Sequence, residues 1–244
     1  MRKLLSYIIA LCVLIGAWHL ASIVLDNSAL PAPMEALRLF FENIHDIIPA
    51  FMISLYRVLA GLLIGAIIAV PLGLLLGQHQ KLDSIAGPML YVLYPLPKIV
   101  LLPILIVFLG LADAPKIALI ALTTFFQTLV SVRDAAKHVP DESIEVLRSL
   151  GASRFHTYWH AIIPAALPDL FTALRVSSGT AIAILFFAES IAGSTGLGYF
   201  IIDSWGLLDY PRMFAGIIAM AIMGVVLYEI FDIFERKLTK WRQN

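Results

Sequence analysis

The sequence predicts an all-α polytopic membrane protein with about six transmembrane helices. Three observations carry that prediction. Of 244 residues, 60% are hydrophobic and 14% charged, against roughly 45–50% and 25% in soluble domains. Mean hydropathy is +0.90. Apolar runs of about 20 residues, the length that crosses a bilayer, recur along the chain. This composition excludes a water-soluble enzyme, a disordered chain and an ordinary secreted module. Seventeen Lys and Arg balance seventeen Asp and Glu, so no basic field exists to attract nucleic acid. The single cysteine, Cys12, supports neither an internal disulfide nor a cysteine metal cluster.

The first run, Leu4–Leu25, follows Arg2 and Lys3. A signal peptide also has a basic start and an apolar core. This run is long for one and more spans follow, so it reads as an anchored helix. The external segment Asp26–Arg57 contains LPAPMEALRLFFENI, where Leu37, Phe40, Phe41 and Ile44 make one apolar stripe at helical spacing. That stripe predicts a helix lying at the membrane surface. The second span, Val58–Gly77, carries Gly61-x-x-x-Gly65 and Gly73-x-x-x-Gly77, small faces that allow close helix packing. Arg57, just before it, snorkels to the outer interface.

The third span, across Ser84–Ala112, is broken by Pro88, Pro95, Pro97 and Pro103. Hydrocarbon offers no donors to replace lost backbone bonds, so such a segment is buried in protein or lines a wet cavity. Pro95, Pro97 and Lys98 are therefore candidate pathway residues, with a packing kink or a turn between two short elements as the alternative. Lys98 either holds an anion or caps a helix end. The fourth, fifth and sixth spans are Pro115–Val132, Leu174–Ile191 and Met213–Phe234. Glu189, near the outer end of the fifth, is an intramembrane charge and a pathway candidate by default. Its alternative is a hydrogen bond to the following glycine-rich turn. Glu229 and Asp232 lie within reach of pairing with Arg236.

Basic residues set the orientation. With the N-terminus inside, Arg2, Lys3, Lys81, Arg133, Lys137, Arg148, Arg154, Arg236, Lys237, Lys240 and Arg242 are cytoplasmic. Only Arg38, Lys116 and Arg212 fall outside, so both termini are expected in the cytoplasm.

The one sizeable cytoplasmic segment runs from Arg133 to about Asp169. Ile144, Leu147 and Leu150 repeat every three residues in a short amphipathic helix that starts near Pro140–Asp141. Gly151 suits a left-handed C-terminal cap. Ser153 suits the N-cap of a second helix, with Phe155, Tyr158, Trp159 and Ile162 as its apolar contacts. Pro164 and Pro168 are expected to end that helix before the fifth span. The product is a helix–glycine turn–helix knob, suited to a groove on a partner or to packing on the chain itself.

Chemistry is sparse. GSTGLG at 193–198 lacks the Lys-Ser/Thr of a phosphate loop, and no complete loop of that kind occurs elsewhere. If ATP is used, another chain binds it. His156 and His160 share a helical face but lack the glutamate and third ligand of a zinc site. No nucleophile–base or paired-carboxylate set can be assembled, so catalytic residues, a metal and a bound cofactor are not expected.

Glu145-Val-Leu-x-x-x-Gly151, then nine residues, then Ala161-x-Ile163-Pro164 resembles the EAA loop of bacterial ABC importer permeases, with Glu, Gly and Pro at matching spacing. Val146 and Leu147 replace the alanines of that pattern, and Ala161 and Ile163 its Ile and Leu. The blocks 54–77, 94–122 and 188–201 resemble permeases for sulfonates, taurine, nitrate and thiamine-precursor pyrimidines. The resemblance implies a type I importer transmembrane domain at 49–237, with a coupling loop at about 140–168. An anchor helix and external segment at 1–48 would precede it, and a tail at 238–244 would follow. It implies an inner-membrane permease pathway for a small anionic or polar solute. The implied partners are a second permease copy, separate cytoplasmic ATPases that use the ATP, and an extracytoplasmic solute-binding protein. Glu145, Gly151, Ala152, Ser153, Ile163 and Pro164 would form the ATPase-coupling loop. The competing reading is an ion-coupled secondary transporter or channel acting alone, for which only Lys98 and Glu189 offer an ionisable relay.

Overall fold

The computed structural model describes residues 2–239, and those residues form helices joined by turns and short loops, without a strand. Lys240, Arg242 and most of the 238–244 tail lie outside the described residues, as do the side chains of Arg2 and Lys3. The helices are α1 (Arg2–Leu25), α2 (Pro33–Glu42), α3 (Ile44–Gln78), α4 (Gln80–Leu93), α5 (Leu102–Leu109) and α6 (Ala114–Lys137). They continue as α7 (Asp141–Ser149), α8 (Arg154–Thr157), α9 (Ile163–Ala192), α10 (Leu197–Gly206) and α11 (Tyr210–Leu238). Four helical runs are long and apolar enough to span a membrane: α3, α6, the continuous run Arg154–Ala192, and α11. A fifth span arises if α4 and the segment Lys98–Leu109, bent by 84° at their junction, count as one. In α1 the apolar stretch Ile9–Leu25 is shorter.

The chain divides into two compact units, one of residues 1–54 and 189–223, the other of 55–188 and 224–244. In the second unit α6 is central. It buries Leu119 against α5 and α9, Leu129 against α3 and α4, and Val132 and Ala136 against α3 and the start of α9. The glycine stripe of α3 lies on it. A Cβ on Gly61 would stand 2.5 Å from Ile120, on Gly65 2.7 Å from the Ala121 carbonyl, on Gly73 3.0 Å from the Leu129 carbonyl, and on Gly77 2.5 Å from the Arg133 carbonyl. Contact partners rise together along both helices, so α3 and α6 run parallel. The segment between them must then return the chain from one end of the pair to the other, as the α4–α5 broken span does.

Two expectations about proline need correction. Only Pro95 and Pro97 sit at the break of the third span. Pro88 is inside α4, and Pro103 occupies the first turn of α5, where an amide is unpaired in any case. Nor do Pro164 and Pro168 end a helix, because α8 runs on into α9. A π-helical turn, Tyr158–Ile162, immediately precedes Pro164, with the Ile163 amide donating back to the Tyr158 carbonyl. The widened turn makes room for the proline ring against the preceding carbonyls, so the helix continues instead of stopping.

In the other unit, α2 buries Ala36 and Pro33, while Phe41 of the expected stripe points outward. Trp18 of α1 stacks on Phe214 of α11 at 5.3 Å and donates to the Pro31 carbonyl at 3.1 Å. These contacts tie α1 and the loop before α2 to the same unit.

Candidate functional site

The knob is built as its sequence dictates. α7 ends at Ser149, and Gly151 takes φ +81, a conformation that costs residues with a Cβ ~1–2 kcal/mol. In that turn the Gly151 amide donates to the Arg148 carbonyl at 2.9 Å and the Ala152 amide to the Leu147 carbonyl at 3.0 Å. Ser153 caps α8: its Oγ accepts from the His156 amide at 3.4 Å and lies 2.7 Å from His156 Nδ1. The apolar residues then part into two sets. Ile144 and Ile162 are buried, Ile162 in one cluster with Leu74, Val132, Ala136 and Ala166. Leu150, Phe155 and Trp159 are 78%, 72% and 59% exposed, with the Phe155 and Trp159 rings stacked 11° from parallel. Glu145 is exposed too. A rooted base thus carries an apolar tip, with Gly151, Ala152 and Ser153 at the turn and Ile163 and Pro164 where the knob joins α9.

Pro95, Pro97 and Lys98 belong to one unit and Glu189 to the other. Lys98 folds back on the end of α4, donating to the Tyr94 carbonyl and, at 3.2 Å, to the Leu93 carbonyl. Its ammonium lies over the Phe126 ring at 4.9 Å. Of the two roles open to it in the sequence, this geometry is helix capping. Glu189 is 0% exposed. Its carboxylate accepts from Ser54 Oγ at 2.9 Å and from the Gly198 amide at 2.8 Å, while Ser54 Oγ itself accepts from the Leu197 amide at 2.8 Å. The charge therefore faces the N-terminus of α10, where unpaired amides favour an anion. The glycine-rich turn lets this happen: Gly196 has φ +102, and a Cβ there would collide with Glu189 Oε1.

Several ion pairs were out of reach of the sequence. Arg57, itself buried, binds the half-exposed Asp113 through Nε at 2.8 Å and Nη2 at 2.6 Å. Arg133 and Lys137 of α6 converge on Asp83 of α4. Asp232 pairs with Arg236, as expected, and also with Arg175 of α9 at 3.1 Å.

Sequence reasoning also missed a cleft of about 680 Å³ between α6 and α9, lined by Gln127, Ser131, Asp134, His138, Asp169 and Thr172, with Tyr94 at its edge. The signal was present. Residues 127, 131, 134 and 138 are spaced as one face of a helix, a polar stripe running down an otherwise apolar span.

Comparison with known proteins bears on the family and the fold. The profile of the family described as "Binding-protein-dependent transport system inner membrane component" matches residues 61–240. An aliphatic sulfonates transport permease protein of Bacillus subtilis (strain 168) is 32% identical over 223 residues, 91% of this chain and 81% of the relative. The taurine transport system permease protein of Escherichia coli (strain K12) is 31% identical over 188 residues, 77% of this chain and 68% of the relative. Among solved structures, a chain of the inward-facing MetNI methionine ABC transporter superposes with TM-score 0.70, covering 81% of this chain and 98% of its own length at 20% identity. At that identity the likeness is one of fold.

Proposed function

The chain belongs to the family of binding-protein-dependent transport system inner membrane components, the permeases of ABC importers, and from that membership we propose how it works. It forms, with a second copy of itself, a translocation pathway for a small anionic or polar solute of the sulfonate, taurine, nitrate or pyrimidine-precursor kind. A separate cytoplasmic ATPase hydrolyses the ATP, and an extracytoplasmic binding protein delivers the solute. The transmembrane domain occupies 49–237, preceded by the anchor segment 1–48, with both termini in the cytoplasm.

The observation that carries this reading is the knob. A turn fixed by Gly151 and Ser153 presents Leu150, Phe155 and Trp159 to solvent while Ile162 is locked into the α3–α6 core. An exposed apolar tip gives an ATPase groove something to grip. A packed base passes displacement into α6 and α9, which a floppy loop would absorb. Glu145, Gly151, Ala152, Ser153, Ile163 and Pro164 are the coupling residues in this scheme. Pro95, Pro97, Lys98 and Glu189 shape the pathway by holding the broken span and the α9–α10 turn.

The test is Gly151→Val, which forces a β-branched residue to φ +81 at a strain of ~1–2 kcal/mol or more. Solute uptake by cells should be lost while the amount of protein in the membrane stays constant. Gly151→Asn, which tolerates the left-handed region, should retain most uptake. Normal transport by Gly151→Val would remove the knob from the coupling mechanism.

A further inference from the structure

The cleft between α6 and α9 is one-sided in its hydrogen-bonding chemistry. Asp169, exposed on the α9 wall, makes no ion pair among the described residues. Asp134 engages only Oδ1, with Arg133 at 3.1 Å. His138 Nδ1 lies 2.6 Å from the Asp134 backbone carbonyl. A carbonyl only accepts, so Nδ1 carries the hydrogen. Gln127 directs its Nε2 to Thr180 Oγ1 at 3.4 Å, and its buried Oε1 has no partner among the described residues. Nor does any described Lys or Arg line the cleft. The cations nearest in sequence are engaged elsewhere: Arg133 and Lys137 are held by Asp83, and Arg175 by Asp232 and Glu235; Lys98, near Tyr94, is held by the carbonyls at the end of α4.

Two carboxylates thus line the cleft without a cation to pair with Asp169, beside the imidazole of His138 and the hydroxyls of Ser131, Thr172 and Tyr94. A donorless oxyanion placed there meets like charge and finds few partners. A solute bearing an ammonium or amino group supplies the hydrogens that the acceptors lack. Resting on the permease reading above, we propose that this cleft is a selectivity site for amine-bearing solutes, with Asp169 as the principal contact. The physical basis is asymmetric: a site built of acceptors loses more by facing a solute without donors than an apolar site would.

Taurine and ethanesulfonate differ only in the amino group and serve as the probes. In membrane vesicles holding the chain with its ATPase and binding protein, taurine uptake should exceed ethanesulfonate uptake by about ten-fold, the scale of one charge-assisted hydrogen bond. Asp169→Asn should collapse that ratio toward one with the same binding protein present, and Asp169→Glu should keep it. Equal uptake of the two probes, a preference for ethanesulfonate, uptake of neither, or an unchanged ratio in Asp169→Asn would overturn the proposal. Co-purification of the ATPase is scored in the same preparation. Its absence counts against the permease reading, whereas its presence with an unaltered ratio counts against the cleft alone.

Discussion

Glu189 shows how a buried charge is made tolerable at a single position. Three groups depend on one another: the carboxylate, the Ser54 hydroxyl and the amides that open α10. Glu189→Ala leaves the Gly198 amide and the Ser54 hydroxyl buried without their acceptor, a loss of ~1–3 kcal/mol per group. Glu189→Gln keeps one acceptor oxygen in place and should cost less than half as much. Thermal unfolding of the purified protein in detergent checks this, with the Ala variant well below the Gln variant in midpoint. Midpoints equal to the parent's in both would mean that the network adds nothing. Glu189's place near a glycine-rich turn was readable in the sequence. Its partner Ser54, 135 positions away, was not, because no local pattern marks a serine inside an apolar helix as a hydrogen-bond donor to a distant part of the chain.

Among the elements, α3 and α6 are joined by contacts closer than most helix pairs allow. Gly65 approaches the Ala121 carbonyl and Thr124 so nearly that a single added methyl would sit 2.7 Å from a backbone oxygen. Backbone cannot rotate aside as a side chain can. Gly65→Leu should therefore destabilise the protein by ~1–3 kcal/mol or more, seen as a lowered unfolding midpoint and reduced accumulation in the membrane. Gly16, on α1, has nothing within 4 Å of the place a methyl would occupy, and Gly16→Ala should leave the midpoint unchanged. The sequence announced that α3 packs on protein, since the four glycines fall on one helical face. It did not say on which helix, because small-residue spacing records how close a neighbour comes and carries no information about which one. The π-helical turn before Pro164 was illegible for a related reason: proline spacing signals a disturbed helix, and only the surrounding packing decides whether the helix stops or continues.

For the molecule as a whole, a nucleotide-binding loop of the Gly-x-x-x-x-Gly-Lys-Ser/Thr kind is absent from the sequence. The purified chain should accordingly hydrolyse no ATP by itself and acquire hydrolysis with a co-purifying ATPase. ATP turnover by the isolated chain would contradict the division of labour proposed for it. The sequence by itself determined the class of molecule, the rough places of its apolar runs, the knob with its Gly151 turn and Ser153 cap, and the family resemblance; its count of six spans compares with four helices long and apolar enough to cross a membrane among the described residues, or five with the bent pair. All of these rest on local periodicity, on composition or on short motifs, which the chain carries whatever its partners. Only the tertiary structure decided that Arg57 meets Asp113, that Lys98 turns back onto α4, that α3 and α6 run parallel, and that the polar faces of α6 and α9 enclose a cleft. Each of those joins residues far apart in sequence, and a charge or hydroxyl in an apolar helix takes its meaning from what the fold brings opposite it.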